Sequence, residues 1–119
     1  MLQFDEYKVK LNNLLPALKE LAQALDLDGA ERELDMLQAE SAADGFWDNL
    51  EKAQKIQQRI KQLHGKVDGQ RRRLQEWDDL MTLCEMGNEE EDESLVPELE
   101  EGFEKLAFLF EGVGKIEKE

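Results

Sequence analysis

From Phe46 to Cys84 the chain repeats one pattern for nearly forty residues. Phe46, Ala53, Ile56, Ile60, Leu63, Val67, Leu74, Trp77, Met81 and Cys84 all fall on two positions of a heptad, and only Asn49 and Gln70 place polar groups on that stripe. Forty helical residues at 1.5 Å each span roughly 60 Å, too long for a globular core and suited to a coiled-coil arm. Gly65 and Gly69 each cost about 1 kcal/mol inside a helix, so the middle of the arm is expected to be its softest part.

Two more stripes need partners. Phe4, Tyr7, Leu11, Leu14, Leu18, Leu21 and Leu25 lie on one seam, which predicts a helix over about 3–25 that Pro16 kinks or restarts with Asn13 as its cap. Val96, Leu99, Phe103, Leu106, Phe110 and Val113 predict a last helix over about 95–116, with Ser94 as cap and Pro97 tolerated in the first turn. A short helix over about 28–41 fits between them, capped by Asp28 and burying Leu34 and Leu37, with Met36 a further candidate for its buried side.

Gly87 and Asn88 are expected to stop the long helix, assigned to about 46–86, and the repulsive run Glu89 to Glu93 to form a solvated loop over 88–93. A turn centred near residue 90 pairs positions whose numbers sum to about 180. Met81 should therefore meet Leu99, Trp77 Phe103, Leu74 Leu106 and Val67 Val113. The seam from Phe46 to Ile60 is then left for the first helix to cover. The expected fold is all-α: one domain over 1–119, an elongated antiparallel three-helix bundle or coiled-coil arm with one additional short helix.

The chemistry offered is sparse. A formal net charge of −14 over 119 residues argues against a broad nucleic-acid surface and against direct DNA binding. Only the middle third, 44–87, is balanced, with eight basic and eight acidic residues. Arg71, Arg72 and Arg73 form the only basic cluster there. They are candidates for contact with RNA or an acidic partner, set against the plainer reading that they pair with neighbouring carboxylates.

His64 has no second histidine or cysteine at ligand spacing, and Cys84 sits on the apolar stripe. Neither points to metal or nucleophilic chemistry, and the acidic run lacks the alternation and glycine of a calcium loop. No cofactor, metal or catalytic residue is expected. The single cysteine, the missing apolar run of membrane-spanning length and the missing signal-peptide pattern in Met1 to Asn13 lead us to expect a cytoplasmic protein with no membrane contact. Leu106 to Phe110 are apolar all round the helix, so helix four is either flanked by two others or presents Phe108 and Leu109 to a partner.

Leu25-Asp26 with Asp28, Arg32-Glu33-Leu34, Phe46-Trp47-Asp48-Asn49, Lys52-Ala53-Gln54 and Glu100-Glu101-Gly102-Phe103-Glu104-Lys105-Leu106 together resemble the N-terminal domain of the bacterial peptide chain release factor 2 family. The resemblance covers about residues 4 to 110. It implies the helical arm of a factor that reads UAA and UGA codons, held at the stalk base and GTPase-associated region of the ribosome. The family's codon-reading Ser-Pro-Phe and catalytic Gly-Gly-Gln do not occur in this chain, so no hydrolytic activity is expected of it. Asp44-Gly45 stands where the family usually has Pro-Asp before its aromatic pair. The competing expectation is a free-standing coiled-coil adaptor or chaperone-like protein that self-associates through Phe108 and Leu109.

Overall fold

A computed structural model describes residues 1–118, with side chains over residues 1–110. Four α-helices occur among the described residues: α1, Leu2–Ala24; α2, Leu27–Ser41; α3, Leu50–Glu90; and α4, Val96–Lys118. Single 3-10 turns, Phe46–Asp48 and Glu93–Leu95, precede α3 and α4. No strand occurs among the described residues, and no described helix is long and apolar enough to cross a membrane.

The chain divides into two compact units, one made of residues 1–19 and 72–119 and the other of residues 20–71. In the first, α1, α3 and α4 surround a core of Phe4, Leu11, Leu80, Cys84, Leu99 and Leu106. Lys105 Nζ meets Glu76 Oε1 at 2.9 Å, and a β-carbon on Gly102 would strike the Leu80 side chain. Both pairs sum to about 180, the register expected for α3 and α4. Met81, Trp77 and Phe103 pack on this core with Leu99. Val113 lies outside the described side chains, so its expected meeting with Val67 does too.

Helix α1 lies antiparallel to the same stretch of α3. The Trp77 indole donates to the Leu11 carbonyl at 2.5 Å, the Asn88 amide donates to Asp5 Oδ1 at 2.9 Å, and the Phe4 ring packs over Gly87. Helix α1 is unbroken through Pro16, without the restart at Asn13.

The other unit overturns the expectation that the first helix covers the seam from Phe46 to Ile60. Helix α2 does so: Ala30 and Leu34 form a core with Leu63 and Val67, against which Leu37 and Ile60 pack. Glu33–Arg59 and Glu40–Lys52 ion pairs flank it. Fifteen residues of helix reach about 22 Å, long enough to match about four turns of α3. What turns the chain is Asp26, at φ 47°, whose carboxylate accepts from the Gly29 N–H at 3.2 Å. Asp26 rather than Asp28 is thus the cap, because only the residue before the helix can fold its side chain back onto the free N–H groups.

Two helix ends also differ from expectation. Helix α3 runs through Gly87 and Asn88 to Glu90, and the reversal falls on Glu91 at φ 52°, where the Asp92 N–H reaches back to the Gly87 carbonyl at 3.2 Å. Packing overrides the glycine's stop signal: Gly87 is where the Phe4 ring needs room. Asp92, not Ser94, then caps the next turn, accepting from the Ser94 N–H at 3.0 Å and from its hydroxyl at 2.5 Å.

The buried stripe itself shifts. Gln70 is buried on the stripe as expected, but Arg73 is buried as well and Leu74 is exposed, so Leu74 does not pair with Leu106. Leu80 rather than Met81 occupies the core centre. From residue 72 onward α3 packs against two helices, so its buried face is broader than the two-position seam of a coiled-coil pair.

Candidate protein-interaction surface

The junction between α2 and α3 is built from backbone upward. Ser41 and Ala42 close α2 on the Gln38 carbonyl. Gly45, at φ 80°, supplies the left-handed turn that opens the 3-10 turn Phe46–Asp48. Asn49 is extended, and its side-chain oxygen accepts from the Lys52 N–H at 3.1 Å, which caps α3.

These constraints hold the Phe46 and Trp47 rings edge to face, with centroids 4.9 Å apart and planes at 85°. Phe46 is half-buried, whereas Trp47 is 60% exposed and Leu50 is 58% exposed. The first helix, expected to cover the seam from Phe46 onward, therefore does not bury this aromatic pair. Beside it lies an open depression of about 410 Å³, walled by Glu40, Ala43, Asp44, Phe46, Asp48 and Lys52. Glu40 pairs with Lys52 at 3.5 Å and Glu51 with Lys55 at 3.6 Å, while Asp44 and Asp48 have no ion pair among the described residues. Met36, 65% exposed, stands one helical turn before Glu40 on α2.

The arginine run does not form one patch. Arg71 is exposed and pairs with Asp68 at 3.7 Å, Arg72 is exposed, and Arg73 is only 4% exposed. Burial pushes the Arg73 guanidinium below its ordinary pKa. Consecutive helical residues step about 100° around the axis, so a broad buried face takes one of three in a row.

On α4, Phe108 is 69% exposed and Leu109 half-buried. Tyr7 and Phe103 meet edge to face at 5.4 Å, with the Lys10 ammonium 4.8 Å from the Tyr7 ring. Burial first, then Glu100 and Glu104, raise the Tyr7 pKa.

The remaining groups are structural. His64 Nε2 is 3.0 Å from the Gln38 amide. Burial pushes the Cys84 thiol up to about 11, the opposite of an activated nucleophile. Arg59 grips Glu33 through Nε at 2.7 Å and Nη2 at 2.8 Å, which holds the Glu33 carboxyl below its usual range. No group of three potential metal ligands occurs among the described residues.

Trp47 and Leu50 were not singled out as an exposed pair by sequence reasoning. The signal is their spacing: both fall one place beyond the stripe positions Phe46 and Asn49, off the seam that α3 buries.

Comparison with known proteins finds similarity to peptide chain release factor 2 from several bacteria. The chain is 30% identical to that of Clostridium perfringens over 94 residues, which is 79% of this chain and 26% of the relative. It is 30% identical to that of Lactiplantibacillus plantarum over 102 residues, 86% of this chain and 27% of the relative. With that of Acidothermus cellulolyticus it shares 33% identity over 110 residues, 90% of this chain and 28% of the relative. The chain spans about a quarter of the length of the curated relatives it matches. No protein-family model matches it. No solved structure matches it either.

Proposed function

The chain is a relative of bacterial peptide chain release factor 2, and from that kinship we propose that it serves translation termination as the N-terminal helical arm of such a factor. In this reading the arm positions a factor that acts at UAA and UGA codons by contacting the ribosomal stalk base and GTPase-associated region. It works in the cytoplasm, needs no cofactor, and has no hydrolytic activity by itself. The observation that carries the reading is the 33% identity extending over 90% of this chain. The all-α fold, an arm of helices packed along α3, supports a role in placement.

Competition tests it. Excess chain added to a reconstituted termination reaction at a UGA codon should slow peptide release by a full-length release factor 2, and purified large ribosomal subunits should retain the chain. Retention no better than that of an unrelated acidic coiled coil, with release unaffected, would overturn the reading.

A further inference from the structure

We propose that the exposed patch formed by Trp47, Leu50 and the acidic depression beside them is the docking face of this arm, and that its occupant is an arginine- or lysine-bearing segment of a ribosomal protein. The inference rests on the release-factor reading for the identity of the partner's host, and on the surface itself for the partner's chemistry.

Three observations converge. Trp47 and Leu50 are each more than half exposed although both are large and apolar, and Met36 adds a third exposed apolar side chain one turn from the depression's Glu40 wall. Three large apolar side chains left exposed on either side of one short turn, on a chain this polar, point to a contact. The setting is also prepared rather than loose: Gly45's left-handed turn, the Asn49 cap and the edge-to-face Phe46 fix where Trp47 stands. An aromatic anchor already held in place loses little freedom on binding, which is why tryptophan so often dominates an interface.

Charge selects the occupant. From residue 40 to 51 the chain has four carboxylates, Glu40, Asp44, Asp48 and Glu51, and no cation. The nearest lysines, Lys52 and Lys55, are already paired with Glu40 and Glu51. Asp44 and Asp48, both on the depression wall, are left to pair with an incoming cation. A phosphate backbone would be repelled, whereas an arginine can lie over the indole face while its neighbours meet the two aspartates. A second copy of this chain would bring the same acidic surface and is disfavoured for the same reason.

Large ribosomal subunits are the probe. Trp47→Ala and the pair Asp44→Lys with Asp48→Lys should each weaken retention of the chain by roughly tenfold or more, Trp47→Phe should keep most of it, and Phe108→Ala and Arg72→Ala should leave it unchanged. Thermal unfolding should show every altered chain folded at the temperature of the assay, since none of the altered side chains is buried. A photo-crosslinking amino acid placed at Ala43 should join a ribosomal protein at an arginine- or lysine-bearing segment, and the crosslink should disappear with Trp47→Ala. Unchanged retention of Trp47→Ala, or crosslinks to RNA, would overturn the docking face while leaving the release-factor reading intact. No retention of the parent chain would overturn both.

Discussion

The Phe4 ring lies over Gly87 so closely that it fills the space a β-carbon there would occupy. Gly87→Ala should therefore destabilise the chain by about 1–3 kcal/mol, because the crowding of a fully buried ring outweighs the gain in helix propensity. Gly65, in the same helix, has nothing within 4 Å of the corresponding position, so Gly65→Ala should stabilise by about 0.5–1 kcal/mol. Urea denaturation of the two variants should give shifts of opposite sign.

The cap of α2 makes a second pair of positions interdependent. Asp26→Ala loses the bond from the Gly29 N–H and places a poorer residue at φ 47°, for a cost of about 1–2 kcal/mol. Asp26→Asn, which tolerates that backbone and still accepts a hydrogen bond, should cost much less. A β-carbon on Gly29 would collide with the Asp26 carboxylate, so Gly29→Ala should destabilise the parent chain but not the Asp26→Ala chain. A double-mutant cycle reads this directly, and additive effects would refute it.

Arg59 determines how Glu33 titrates. The side-chain bond from Arg59, followed by its charge, holds the Glu33 pKa below the usual glutamate value. A carboxylate lowered in this way favours the folded state above its unfolded pKa, and that contribution is lost as pH falls through the folded value. Arg59→Ala should move the Glu33 midpoint upward in an NMR pH titration. Both side chains are substantially exposed, so high salt should narrow the difference between the two proteins.

Cys84 should be inert while the chain is folded. Its thiol is fully buried and raised to about 11, so alkylation near pH 8 should run on the order of a hundredfold slower than in the urea-unfolded chain. A raised acid of this kind contributes stability that is complete below its unfolded pKa and is lost as pH rises toward about 11. Tyr7, raised mainly by burial, acts in the same sense. Stability should consequently fall on the alkaline side, and Cys84→Ser should alter that part of the profile.

Local pattern decided much of this protein. The spacing of apolar residues along α3 and α4, with a short acidic turn between them, sets the register in which the structure shows Lys105 beside Glu76, because helix period and turn length are properties of neighbouring residues. The Phe46-Trp47 motif, with Lys52-Ala53-Gln54 after it, likewise carries part of the resemblance to release factor 2 without any coordinates. What only the tertiary structure decided was which of several equivalent partners each stripe would take. Both α1 and α2 present faces able to cover the first half of α3, and the left-handed turn at Asp26 assigns that task to α2. Gly87 reads as a stop signal until a ring eighty-three residues earlier in the chain fills the space beside it. Arg73 reads as surface charge until a second helix widens the buried face, and only the packing of α2 and its turn leaves Trp47 open to solvent. Burial depends on contacts between residues distant in sequence, and no local spacing specifies those.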